Sequence, residues 1–246
     1  ALNNNNEVLY ESGYVTNYKN MQFIWFNQKF SKLSLSFLAL NNGYQYENLV
    51  ENKFQVAYLQ TIGTYGKWDA SKFYGDFGLY AQTGEAAITN DKVDVGAYYA
   101  GFNLGYKFTN PFKAELGFEY LSGKDQNDTD TKVKSFTPLF GTNHGFNGLM
   151  DYFYVGNHKN SVGLQDFYTK FIYDKNKWQV TLAPHVFHSA VSVYNITTLE
   201  KQDSYLGTEI DLTATYKMDK NFVISGGVSK MFASDTMEIL KGGNNN

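Results

Sequence analysis

The sequence predicts an all-β fold, an antiparallel up-and-down transmembrane β-barrel. Three observations carry that expectation. Apolar and polar residues alternate with period two along about ten segments, the repeat of a strand with two unlike faces. Tyr and Phe number 20 each while Pro numbers 3, a composition that favours strands over helices. The connections between segments alternate between short turns and long loops, as in barrels with one turn side and one loop side.

The segments lie near 18–30, 33–43, 54–67, 72–84, 95–108, 112–123, 162–174, 177–190, 205–217 and 221–233. Those at 18–30 and 54–67 alternate poorly, so the pattern fixes their existence better than their facing. Phe112, Ala114, Leu116, Phe118 and Tyr120 share one face, against Lys113, Glu115, Gly117 and Glu119. Ile210, Leu212, Ala214 and Tyr216 oppose Glu209, Asp211, Thr213, Thr215 and Lys217. Ala100, Phe102, Leu104, Tyr106 and Phe108 oppose Tyr99, Gly101, Asn103, Gly105 and Lys107. Segments this long suit a tilted strand crossing a bilayer better than the strands of about 5–6 residues usual in soluble sheets.

Short turns are expected at 31–32, 69–71, 109–111, 174–176 and 218–220, and long loops at 44–53, 85–94, 124–161, 191–204 and after Ser234. Phe30, Trp68, Phe73, Tyr106, Phe108, Phe112, Tyr173, Trp178, Tyr216 and Phe222 cluster beside the short turns. Their rings suit the headgroup layer, so they read as one aromatic girdle.

Composition removes several classes. Mean hydropathy is −0.41, and no apolar run is long enough for a helical span. A barrel escapes that test because its strands average out to polar. There is no cysteine, which argues against a disulfide scaffold and thiolate metal sites. Net charge is −3, so no nucleic-acid partner is expected. All 21 basic residues are lysine.

Charged residues inside long strands cannot face lipid at reasonable cost. Lys107, Lys113, Glu115, Glu119, Asp166, Lys170, Glu209, Asp211 and Lys217 are therefore expected to line a polar lumen. Their mixed signs favour crosswise pairing. The 124–161 connection is far beyond a hairpin loop, and its second part is rich in Phe, Tyr, Leu and Gly. It is expected to bend inward over 135–155 and narrow the lumen, with Phe136, Phe140, His144, Phe146, Asp151 and Tyr152 as constriction residues. The alternative is an extracellular cap over the rim.

Asp125, Asn127, Asp128 and Asp130 could bind calcium, but they lack the glycine and distal glutamate of such a loop. A solvated acidic loop is the favoured reading. His185 and His188 stand three apart on one strand, so they face opposite ways and cannot share a metal. No nucleophile with an oxyanion loop is evident, so neither catalysis nor a cofactor is expected.

Longer stretches carry a resemblance. Residues 135–144, from Ser135-Phe136-Thr137-Pro138, precede Phe146-Asn147-Gly148-Leu149-Met150-Asp151-Tyr152-Phe153-Tyr154. Later come Val162-Gly163-Leu164-Gln165-Asp166-Phe167-Tyr168, Leu206-Gly207-Thr208-Glu209-Ile210-Asp211-Leu212 and Lys230-Met231-Phe232-Ala233-Ser234-Asp235-Thr236-Met237-Glu238. Together they resemble the alginate-export family of outer-membrane barrels, in the form common in Bacteroidetes. The resemblance implies a porin-like barrel of about eighteen strands in the outer membrane. On that view residues 1–246 are a single barrel domain lacking N-terminal strands and a C-terminal closing strand. The alginate exporter itself looks like a pore lined by many arginines; this chain has none, and its inward charges lean acidic.

The sequence thus points to an outer-membrane pore for small hydrophilic solutes or oligosaccharides. The alternatives are a plugged structural or binding barrel of a larger complex, and export of an anionic polysaccharide. The partners implied are outer-membrane lipid and lipopolysaccharide, the solutes or saccharides themselves, and other outer-membrane or periplasmic proteins.

Overall fold

The computed structural model describes residues 17–141, 144–145, 147–153, 161–195 and 197–241. Ten strands follow one another in chain order: β1 (Tyr18–Phe30), β2 (Leu33–Asn48), β3 (Lys53–Ala70), β4 (Phe73–Ile88), β5 (Asp91–Lys107), β6 (Phe112–Leu121), β7 (Leu164–Lys175), β8 (Trp178–His188), β9 (Tyr205–Lys217) and β10 (Val223–Ala233). They form one antiparallel sheet in which each strand pairs with its sequence neighbours. This is the up-and-down order that the alternating pattern predicts.

Register sorts the side chains into two surfaces. On the outer one, Phe37 lies opposite Thr64, Leu79 opposite Ala100, Phe102 opposite Phe118, Phe118 opposite Phe167 and Phe171 opposite Leu182. Leu79, Phe102, Leu116, Phe167, Phe171, Leu182, Leu212 and Val228 are all exposed there. A continuous apolar band of this extent is foreign to a water-facing sheet and natural against lipid.

The band has two edges. At the turn end, Phe73 packs on Tyr106, Phe112 on Tyr173 and Trp178 on Tyr216, with ring centroids 4.9, 5.4 and 4.7 Å apart. These pairs are the girdle. At the other edge a side-chain ladder crosses three strands. Gln60 donates to Asn41 at 2.7 Å, and Asn41 donates to Gln22 at 2.8 Å. Eight residue steps separate Leu33 from Asn41 on β2. At roughly 3.3 Å per residue and a strand tilt near 40°, that is ~20 Å, close to the apolar height of a barrel wall. Lys230 is an outward exception, and its ammonium lies over the Phe232 ring, 5.0 Å from the centroid.

Two of the expected long loops are turns. Residues 44–48 and 53 belong to β2 and β3, and 85–88 and 91–94 to β4 and β5, leaving turns at 49–52 and 89–90. The strands run on past the apolar band. Polar residues such as Gln45, Glu47 and Glu85 hide the alternation there, while backbone pairing continues. Asn52, at φ 50°, takes the left-handed conformation that asparagine tolerates in turns.

The segment after Ser234, expected as loop, begins with the helix α1 (Asp235–Lys241). The Ser234 hydroxyl accepts the Met237 amide at 3.2 Å, a side-chain cap on the first turn, and Met237 is buried. In β1 the register settles a facing the pattern left open. Phe23 and Trp25 lie on the inner surface opposite Leu40 and Leu38, so β1 is apolar on both sides.

A charge placed in the band should cost more than one placed at its rim. Leu116→Arg is expected to destabilise the folded barrel by about 2–4 kcal/mol, and Gln60→Arg by no more than ~1 kcal/mol. Denaturant titration in lipid vesicles measures both. Equal costs would mean that the band does not sit in hydrocarbon.

Candidate functional site

The inner surface carries its charges in tiers. Nearest the turns, Lys107 pairs with Asp69 at 2.8 Å and Lys113 with Asp174 at 3.4 Å, while Lys217 is exposed. One tier up, Glu115 accepts hydrogen bonds from the Tyr74 hydroxyl at 2.9 Å and from Asn103 at 3.4 Å. Lys170 is the register partner of Glu115, but its ammonium sits 4.9 Å from the centroid of the Tyr168 ring. All nine residues expected to line a lumen share this surface.

Above them the carboxylates gather. Glu119 lies across from Asp166, and Glu209 across from His185. Period two then places Asp211 beside Glu209 on the same face. Both Asp166 oxygens lie 3.0 Å from His185 Nδ1. Tyr168 stacks on the His185 ring at 5.2 Å and covers Gly117, where a Cβ would stand 2.0 Å from the Tyr168 ring. A side chain at position 117 would push that ring away from the histidine.

The described residues between β6 and β7, up to Phe153, fold back onto this surface. Val133 bridges to Val95, and Phe136 is buried with its ring 5.6 Å from Tyr99. Gln82 holds Thr137 twice, donating to its carbonyl at 2.8 Å and accepting from its amide at 3.1 Å. Farther along, Asn147 donates to Glu119 and to Asp166, both at 3.1 Å. The Leu149 amide donates to Asp211 at 3.2 Å and the Met150 amide to Glu209 at 2.9 Å. Gly148 makes this approach possible. Its φ is +78°, and a Cβ there would lie 2.6 Å from the Glu209 carboxylate.

The constriction candidates divide. Phe136 is anchored to the wall. Phe140 is exposed and meets Tyr18 edge-on at 5.7 Å. His144 is exposed and holds Asp151 at 2.7 Å, and the exposed Tyr152 accepts the Lys241 ammonium at its carbonyl, at 2.8 Å. Phe146 lies outside the described residues. This strap is held to the wall at one end by Phe136, in its middle by the buried Asn147 and Gly148, and at the other end by Phe153, whose ring packs 4.6 Å from Phe187. Between this strap and the wall is a cavity of about 240 Å³, lined in part by Glu119, Tyr168, Lys170, His185 and Asp211.

Crosswise lysine–carboxylate pairing holds near the turns, and among the described residues no lysine pairs with Glu119, Asp166, Glu209 or Asp211 in the upper tier. The acidic run is tied internally, with Lys134 reaching Asp128 at 2.6 Å and Asp130 at 3.3 Å. Lys134 holds the Asp128 carboxyl below the usual carboxylate range. His185 and His188 do face opposite ways: His188 lies outside against Phe167, with centroids 6.2 Å apart. The sequence offers His185 as a candidate for metal binding or catalysis, not as the partner of Asp166. The available signal was its even spacing from Ala183 and Phe187, both inward. Asn147 and Gly148 left no such signal, because a loop has no period.

No family model matches the chain, and no curated protein matches it. It is similar to a solved structure described as "Copper transporter OprC", with a TM-score of 0.41 and 12% sequence identity, covering 85% of this chain. The chain spans 37% of the length of that one.

The His144–Asp151 contact should make the strap pH-sensitive. The hydrogen bond and charge of Asp151 raise the His144 pKa above its ordinary 6.5 and lower that of Asp151 below its ordinary 3.8. The histidine contribution is complete below 6.5 and disappears as pH rises through the raised value; the aspartate contribution is complete above 3.8 and disappears as pH falls through the lowered one. Limited proteolysis of the strap in vesicles is expected to be slowest near pH 5–6 and faster above neutrality. His144→Ala should flatten that profile; an unchanged profile in the variant would show that the contact does not hold the strap.

Proposed function

We propose that the chain forms the wall of an outer-membrane pore through which small hydrophilic solutes or oligosaccharides pass passively. One observation carries this reading: a lipid-type apolar band backs directly onto an inner surface of charged residues, with an open cavity under an ingrown strap. A soluble sheet would have its apolar face packed and its polar face wet. Here the apolar face is bare and the polar face is the one covered.

The ten-stranded sheet does not close on itself among the described residues. Among the described residues β1 pairs only with β2, and β10 only with β9. Open edges are not tolerated in hydrocarbon, so further strands or a second chain complete the barrel, on the scale of about eighteen strands that the family resemblance implies. Anionic-polysaccharide export is the weaker reading. The upper inner wall gathers Glu119, Asp166, Glu209 and Asp211, and such a surface repels uronates. A plugged scaffold draws support from the strap being bonded to β4 through Gln82 and to β9 through Glu209 and Asp211.

Single-channel conductance of the complete protein in a planar bilayer tests the choice. A steady conductance with cation-leaning selectivity is expected, and removal of 135–155 should enlarge it several-fold, on the order of the widened cross-section. Silence from both proteins would sink the pore and leave the scaffold. Strong anion selectivity would restore export.

A further inference from the structure

The upper inner wall holds more negative charge than its neighbours neutralise. Asp166 has His185. Among the described residues, no ammonium lies within ion-pair distance of Glu119, Glu209 or Asp211. Lys170, the cation lining the same cavity, is drawn over the Tyr168 ring instead. The strap supplies single donors to Glu119, Glu209 and Asp211 through Asn147, Met150 and Leu149. Among the described residues, that leaves Glu209 Oε2 and Asp211 Oδ1 without a hydrogen-bond donor, in residues 0% and 3% exposed. Two carboxylates side by side and out of water require a shared proton or a cation.

We propose that the cavity beneath the strap binds a small organic cation bearing a primary ammonium group, held by Asp211 on the cavity wall with the buried Glu209 carboxylate beside it. A bare metal ion fits poorly, because among the described residues no three His, Asp or Glu side chains converge closely enough to hold one. An alkylammonium brings its own separated donors, can reach Asp211 on β9 and Glu119 on β6 across the cavity, and presents a positive charge to the Tyr168 ring. Leu149 and Ala183, also on the cavity wall, suit its carbon chain. The inference relies on the pore reading for the route by which the cation arrives, and not for the binding itself.

A length-matched series tests it: 1,4-diaminobutane, neutral 1,4-butanediol and anionic succinate. The complete protein is reconstituted in vesicles for uptake and titrated with diaminobutane in detergent by calorimetry. Diaminobutane is expected to bind and to enter faster than the diol, with succinate slowest. The double variant Glu209→Gln/Asp211→Asn keeps acceptors for the Leu149 and Met150 amides while removing both charges. It is expected to weaken binding by about tenfold or more and to erase the preference over the diol. Retention of the folded-form mobility shift on gels confirms that the variant barrel is intact. Should it not fold, Lys170→Met removes the competing cation and is expected to tighten diaminobutane binding by a few-fold. No heat of binding in the wild-type protein would overturn the proposal and favour a shared proton, as would an intact double variant that binds unchanged, or a Lys170→Met protein that does not bind more tightly. Binding without uptake of any solute would uphold the site and sink the pore.

Discussion

The structure depends on one constraint: in hydrocarbon every backbone N–H and C=O must find a partner in protein. Among the described residues β2 to β9 meet it by pairing antiparallel on both edges, and β1 and β10 meet it on one edge each. That pairing fixes everything else about the wall. It assigns alternate residues to lipid and to the interior, so Leu116 and Glu115 can be adjacent in sequence and live in different solvents. It also allows the strands to continue past the apolar band, where the Gln22–Asn41–Gln60 ladder marks the change of surroundings.

Within the wall, the strap resolves a second conflict of the same kind. Four carboxylates on the inner face lose water when a segment folds over them, and a burial of that sort is costly unless donors replace the water. Asn147, Leu149 and Met150 supply some of them, and Gly148 lets the backbone come close enough to do so. The geometry is therefore reciprocal. The acids hold the strap in place, and Asp211 faces a cavity with one oxygen unengaged among the described residues. The lysine–aspartate pairs near the turns have no comparable tension. They are partly exposed, and pairs of that kind contribute little beyond shaping the local field.

Much of this was legible in the sequence, and for a physical reason. A strand's side-chain period is two whatever its neighbours are, so β5, β6 and β9 declared both faces, including the inward placement of Glu115, Glu119, Glu209 and Asp211. The girdle was legible because aromatic rings prefer one depth. Where the period carried no contrast, reading failed. β1 is apolar on both faces. Beyond the band, Tyr44 to Asn48 and Glu85 to Ile88 look like loop because neither side meets lipid, yet they are strand. The seven residues of α1 were too few to show a helical repeat beside Ser234.

By itself the sequence determined the class of fold, the strand order and the sorting of charges from lipid, because each follows from local alternation and from turns between adjacent segments. Tertiary structure alone decided which inward charges find partners. Lys170 stands opposite Glu115 yet turns to the Tyr168 ring, and His185 takes Asp166 while Glu209 and Asp211 take backbone amides from residues some sixty positions away. Nothing local encodes those choices, since they arise only when a non-periodic segment is pressed against a wall that other strands have already built.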